Sequence, residues 1–310
     1  MPENKQFLPE GLRNMPEFSL SFLKDAMETG AVLEAAPDRC DVNQTLHFRL
    51  NGITAKMKRE QAIAPWISGA NRPISLISRV GKPTCFTVES IESDEKGAPI
   101  IHLNRRAVQE QTMDWFLEHL QPGVVLTCCV THLESFGAFL DIGCGVAAIL
   151  PVEHISVARI SHPRDRFCTG QKILAAVLSV DREKKRITMT HRELLGTWLE
   201  NACYFSPGET VQGVVRSVQS YGSFVELTPN LSGLVDVHEH IKPGDHVSVF
   251  IKSMDPNRMK IKLQLIAMLP DPPRVEPLRY RVTDGKLTHW VYSPPDCMKV
   301  VETVFTAAFP

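Results

Sequence analysis

One block of this chain occurs twice. Pro122-Gly123-Val124-Val125 through Ser135-Phe136-Gly137-Ala138-Phe139-Leu140-Asp141-Ile142 is matched without a gap, 85 positions later, by Pro207-Gly208-Glu209-Thr210 through Ser220-Tyr221-Gly222-Ser223-Phe224-Val225-Glu226-Leu227. The match continues from Ala148-Ile149-Leu150 to Gly233-Leu234-Val235, and Thr169-Gly170-Gln171 pairs with Pro243-Gly244-Asp245. Val180-Asp181-Arg182-Glu183-Lys184-Lys185-Arg186-Ile187 then pairs with Met254-Asp255-Pro256-Asn257-Arg258-Met259-Lys260-Ile261 at an offset of 74, so the second copy is 11 residues shorter between its halves. Each copy has to fold as one unit of the same kind, which constrains the architecture more than any single local signal.

Within each copy the apolar residues alternate with the period of two that strands require. Leu140 and Ile142 point one way, Phe139 and Asp141 the other; Val225 and Leu227 are likewise opposed to Phe224 and Glu226. Placing Asp141 in water puts Phe139 on the same outer face. Late in each copy Arg186 and Thr188 oppose Ile187 and Met189, as Lys260 and Lys262 oppose Ile261 and Leu263. Each copy therefore reads as about five short strands with aromatic and basic residues on the outer wall, and a five-stranded OB-type barrel fits that count. The predicted fold class is mainly β, in tandem barrels with short helical connectors.

The composition excludes several other classes. With 34 Lys+Arg against 35 Asp+Glu the net charge is −1, so this is no polybasic protein, and an anionic partner must be met by local patches or by stacking. The apolar fraction of 43% is that of a folded protein rather than a disordered one. No apolar run is long enough for a membrane span and the start MPENKQFLPE lacks a secretory pattern, so a cytoplasmic protein with no membrane partner is expected. The eight cysteines include no CxxC, which fits neither a disulfide frame nor a common zinc site; mostly buried thiols, and no metal or cofactor, are expected.

The run SFGAFLDIGCG, followed by ILPVEHIS, RISHP, TGQ and VDREKKRITMT, resembles the S1-type RNA-binding domain family nearly throughout, and SYGSFVELTPNLSGLVD is the same signature in the second copy. The resemblance covers about residues 121–195 and 205–268. A weaker unit at 31–107 has a comparable later half without the FGAF element and is read as a degenerate barrel. Its place ahead of better-preserved modules is similar to that in ribosomal S1 proteins, where leading degenerate modules serve protein docking. The expected organisation is a helical arm at 1–30 with a helix at Ser19–Thr29, the degenerate barrel at 31–107, a helical connector at 108–120, a barrel at 121–195, a connector at 196–206, a barrel at 207–268, and a Pro-rich linker, hairpin and terminal segment at 269–310. The hairpin is placed at Leu278–Val282 and Leu287–Tyr292, and Met298–Phe305 fits helix or strand.

Single-stranded nucleic acid is held by aromatic faces that stack on bases beside cations that follow the phosphates. Phe136 and Phe139, and Tyr221 and Phe224, are the candidate platforms; the alternative is that they close the barrel ends. The resemblance further implies that an acid and a base late in each module shape the groove, here Asp181 and Arg186, and Asp255 and Lys260. Where many family members carry a histidine after the Gly-Leu-Leu turn, this chain has Pro151 and Asp236, and Asp236 would repel phosphate. Residues 151–195 hold nine Lys+Arg against five acids, while the second module is balanced at six each, so the first of the two is expected to carry more affinity. Arg164-Asp165-Arg166 reads as a solvated loop, Lys56-Met57-Lys58-Arg59 as a charged turn or an RNA or ribosomal contact, and His238-Glu239-His240 as a loop rather than a metal pair.

The partners implied by the resemblance are single-stranded RNA, messenger RNA foremost, and the small ribosomal subunit through the first barrel. The alternatives are a non-ribosomal RNA-binding regulator and the substrate-gripping part of an RNA-processing complex. No P-loop, G-x-S-x-G or carboxylate cluster marks a catalytic scaffold, and residues 1–30 and 269–310 are too few for a nuclease core, so no catalytic residues are expected.

Overall fold

A computed structural model describes residues 7–67, 72–238, 240–270 and 278–306. Helix α1 (Leu20–Thr29) begins at Ser19, whose hydroxyl accepts the Phe22 N–H at 3.1 Å, and ends at Gly30 in the left-handed region; Leu23 and Ala26 are its buried face. It packs on a sheet of β1 (Leu33–Ala35), β2 (Arg39–Cys40), β3 (Leu46–Leu50), β4 (Ile53–Met57), β5 (Thr84–Ser93) and β6 (Pro99–Asn104), with short helices α2 (Arg59–Ala62) and α3 (Pro73–Ile77) between β4 and β5. Helix α4 (Arg105–His119), capped by the Asn104 side chain, starts three residues earlier than its sequence pattern suggests and leads into the repeat.

The first copy is a closed barrel of β7 (Val125–Glu134), β8 (Gly137–Asp141), β9 (Ala147–Pro151), β10 (Lys172–Asp181) and β11 (Arg186–Thr190), in the order β10-β11-β9-β8-β7. After α5 (Trp198–Ala202) the second copy closes in the same way from β12 (Thr210–Gln219), β13 (Gly222–Thr228), β14 (Leu231–Val235), β15 (His246–Asp255) and β16 (Lys260–Met268). The inward residues follow the alternation: Val130, Leu140, Leu150, Ile187 and Met189 in one barrel and Val215, Val225, Val235, Ile261 and Leu263 in the other are buried. The protein is mainly β, with two five-stranded OB-type barrels.

The leading sheet has the order β1-β5-β6-β4-β3-β2 and is open. Its parallel β4–β6 pair corresponds to the parallel β9–β11 and β14–β16 pairs of the barrels, so the strand order is shared. What differs is the first strand, which is broken in two. β1 pairs only with β5 and β2 only with β3, and Pro37 lies between them. Proline has no N–H to give to a ladder, and here its carbonyl takes the Gly81 N–H at 2.9 Å.

Other expectations need correction. Among the described residues of the arm, 7–30, only α1 is helical; upstream, Phe7 packs into the core cluster of the first closed barrel beside Phe116, and Leu8 O accepts the Cys144 N–H. The hairpin is not built from Leu278–Val282 and Leu287–Tyr292. It pairs β17 (His289–Val291) with β18 (Glu302–Val304), while the backbone before it bonds to the barrels: Arg281 N to Leu194 O, Leu287 N to Gly123 O, and Gly285 O to Val125 N. Residues 271–277, most of the Pro-rich linker, and Glu239 of the His-Glu-His run lie outside the described residues. Among the described residues no helix is long and apolar enough to cross a membrane, and no group of His, Cys, Asp and Glu could hold a metal ion.

Candidate nucleic-acid interface

The turn between the first two strands of each barrel presents an aromatic ring. Phe136 is 58% exposed and Tyr221 62%. Each meets the half-buried phenylalanine three residues on edge to face: Phe136 and Phe139 at 6.0 Å between centroids and 87° between planes, Tyr221 and Phe224 at 6.3 Å and 90°. The glycine between them admits this tight connection. A Cβ on Gly137 would run into the Leu150 carbonyl and one on Gly222 into the Val235 carbonyl, and Gly222 has φ +147° as well.

Strand register carries the platform across each barrel. Phe139 lies opposite His132 on β7 and Ile149 on β9, and Ile149 lies opposite Thr188 on β11. The matching row in the second barrel is Ser217, Phe224, Leu234 and Lys262. Arg186 and Lys260 stand two residues before Thr188 and Lys262, on the same outer face and exposed. The aromatic and basic candidates thus share one face in each barrel. Lys262 joins them by register with Leu234, a relation that a single sequence does not reveal across two strands.

Asp181 and Asp255 sit opposite Arg186 and Lys260 at the hairpin ends. Asp181 takes the Lys184 N–H at 2.9 Å, and this bond, with the Lys184 charge, holds its carboxyl below the usual range; Asp255 lies 3.8 Å from Arg258. These contacts close the turns that aim the bases. Asp236 is paired with Lys252 at 3.5 Å.

The outer acids beside the platforms do not face water. Asp141 is 3% exposed and Glu226 6%, because other parts of the chain cover them. Asp141 accepts the backbone N–H groups of Glu10, Gly143 and Gly145 at 2.8, 2.8 and 3.0 Å. Glu10 in turn is bound by Arg105 and Arg79; burial pushes its carboxyl up, and the two guanidiniums more than offset this, bringing it to about 2. Glu226 is gripped by Arg166 through both oxygens at 2.6 and 2.8 Å and by Arg216 at 2.8 Å. Burial raises the Glu226 carboxyl, and the two arginines outweigh it and lower it. The Arg164-Asp165-Arg166 loop is therefore no plain solvated loop, since Arg166 is a buried ion-pair partner.

Several bases counted toward affinity are similarly occupied. Arg166 serves Glu226, Arg182 donates to Leu117 O at 2.9 Å, Lys185 meets Asp114 at 3.3 Å and the Trp66 ring, and Arg192 meets Glu193 at 3.1 Å. With Lys184, 3.7 Å from Asp181, five of the nine bases of residues 151–195 thus have partners within the protein, as do Arg216, Lys252 and Arg258 among the six of the second module.

Residues 120–189 match the RRP5 S1 domain family. Over 190 residues the chain is 32% identical to small ribosomal subunit protein bS1 of Staphylococcus aureus (strain COL), covering 56% of this chain and 48% of that protein. It is 30% identical over 222 residues to the small ribosomal subunit protein bS1 homolog of Bacillus subtilis (strain 168), covering 66% and 57%. The chain spans about half the length of these curated relatives. Among solved structures, a multidomain protein with nucleic acid binding domains from Streptococcus pneumoniae TIGR4 aligns over 76% of this chain and 73% of that one at 12% identity, with a TM-score of 0.26. Residues 120–189 are thus similar to an S1 domain, and over more than half its length the chain resembles the small ribosomal subunit protein bS1.

Proposed function

We propose that this protein holds single-stranded RNA through its two closed barrels without cleaving it, and that it acts in translation, with the open leading sheet as the part that docks on the small ribosomal subunit. The observation that carries the reading is the repeated edge-to-face aromatic pair, Phe136 with Phe139 and Tyr221 with Phe224, each sharing an outer face with an exposed base, Arg186 or Lys260. Stacking needs unpaired bases, so duplex RNA should bind poorly. Two modules on one chain make weak single contacts useful through effective concentration.

Fluorescence anisotropy with labelled single-stranded and duplex RNA tests it. Phe136→Ala combined with Phe139→Ala should lower single-strand affinity by about 2–4 kcal/mol at unchanged salt dependence. Arg186→Ala should flatten the plot of log affinity against log salt by about 0.7. Equal affinity for duplex, or metal-dependent loss of the labelled RNA, would overturn the reading. Co-sedimentation with small ribosomal subunits, abolished by changes in the leading sheet but not by those in the platforms, tests the link to translation.

A further inference from the structure

Asp141 and Glu226 occupy matched positions of the repeat, each two residues past its platform phenylalanine on the same strand and face. Both receive the preceding part of the chain. On Asp141 sits the Glu10 segment, tied through Glu10 to Arg79 and Arg105 of the leading unit. On Glu226 sits the 156–166 loop of the first closed barrel, and the contact is extensive. Arg166 makes a two-oxygen grip, Arg216 reaches from Glu226 to Asp165 at 3.6 Å, and Arg166 also donates to Ser156 at 3.1 Å.

Beside this charged clamp, fully buried Asn230 accepts the Val157 N–H at 3.0 Å and donates to Arg192 O and Gly196 O at 2.8 and 3.0 Å; Ala158 N donates to Pro229 O at 3.1 Å. The C-terminal segment crosses the same seam. Tyr280 takes the Leu174 N–H of the first closed barrel at 3.1 Å, and Tyr292 donates to Asn230 O of the second at 2.5 Å. Two barrels joined by a buried multidentate clamp and a strap do not move as beads on a string.

We infer that the two closed barrels form one preorganised track for a single RNA strand, with Glu226 and Arg166 as positioning residues that hold the Phe139 and Phe224 platforms at a fixed spacing. The inference rests on the RNA-binding reading above. A strand long enough to reach both platforms meets the second at a high effective concentration, because the clamp has already fixed the geometry. Loosening the clamp leaves each platform intact and lowers only that second gain.

The test is affinity against length for oligouridylates of about 4 to about 20 nucleotides, bracketing the site size of one to two OB folds, on the full chain and on Glu226→Gln and Arg166→Gln. Arg166→Gln guards against misfolding, since Glu226 keeps Arg216 within its own barrel. The wild type should show a rise of at least about tenfold once both platforms are reached. Each variant that folds should lose about tenfold on the longest strands and nothing on the shortest. Solution scattering in parallel should give a larger maximum dimension for the variants than for the wild type.

If the variants keep the full rise with length, or scatter as compactly as the wild type, the inference is overturned. A wild type that binds no oligouridylate of any length refutes the RNA-binding reading instead, and the scattering comparison still judges the clamp. Loss of affinity equal at all lengths also overturns the inference, because it places Glu226 and Arg166 in the upkeep of a platform rather than in the spacing of two.

Discussion

At the scale of single residues, a side chain's parity along a strand and its exposure are different things. Phe139 and Asp141 share a face, as their spacing requires, yet one ring is available to a ligand and the carboxylate beside it is sealed. His191 shows how tightly such covered sites are specified. Its Nδ1–H donates to Ile155 O at 2.7 Å, so Nε2 must accept, and it faces the Tyr280 hydroxyl at 3.1 Å; that hydroxyl in turn accepts the Leu174 N–H. Burial, helped by the Arg166 charge, brings His191 down to about 4, and burial raises the Tyr280 phenol to about 12. The neutral imidazole is therefore the folded form. Between the ordinary value of 6.5 and about 4 the unfolded chain binds the proton and the folded one does not, so stability is present above that window and is lost as pH falls through it. The loss attributable to this group should reach about 3 kcal/mol at pH 4. Urea titrations between pH 7.5 and pH 4 check it: His191→Gln, less stable at neutral pH, should show a flatter pH dependence, and an unchanged slope would contradict the assignment.

At the scale of elements, backbone chemistry decides where strands close and where they fail. The leading sheet keeps the strand order of the barrels and loses closure where Pro37 interrupts its first strand. Conversely, Gly137 and Gly222 let the second strand of each barrel lie against the carbonyls of the third. Gly222→Ala should cost about 1–3 kcal/mol from overpacking against Val235 and Leu234, beyond any backbone strain, and should displace the Tyr221–Phe224 pair. Gly244→Ala, at φ +95° with open space around it, should cost only the left-handed strain of about 1–2 kcal/mol. Thermal melts of the two variants, with RNA affinity as a second readout, separate the effects: the second should leave binding untouched.

For the whole molecule, segments outside the two closed barrels help to complete the barrel cores. Phe7 and, from α4, Val108, Met113 and Phe116 belong to the same core cluster as Leu140 and Ile142. Trp290, Tyr292 and Phe305 of the C-terminal segment are buried in the cluster that holds Val215, Val225 and Leu263. A chain ending at residue 270 should therefore lose on the order of 5 kcal/mol or more, as three buried aromatic anchors go with the strap. Calorimetry should show the last barrel melting first and separately; one transition at an unchanged temperature would refute the strap. A chain starting at residue 111 should likewise be less stable, since Phe7 and Val108 would no longer cover the first closed barrel.

What the sequence determined by itself is everything encoded within a module: the repeat, the alternation that sends Leu140 and Val225 inward, the glycines of the tight turns, and the shared outer face of aromatics and bases. These follow from spacings of a few residues, which local sterics and side-chain parity translate directly into geometry. Only the tertiary structure decided which outer residues stay outer. Asp141 is covered from Glu10 and Glu226 from Arg166, partners 131 and 60 positions away, and Arg182 and Lys185, which look available, are spent on the Leu117 carbonyl and Asp114 of α4. A charged residue at an outward position carries the same sequence signature whether water or an arginine meets it. The difference lies in long-range packing, which alone brings the halves of a pair such as Arg166 and Glu226 together.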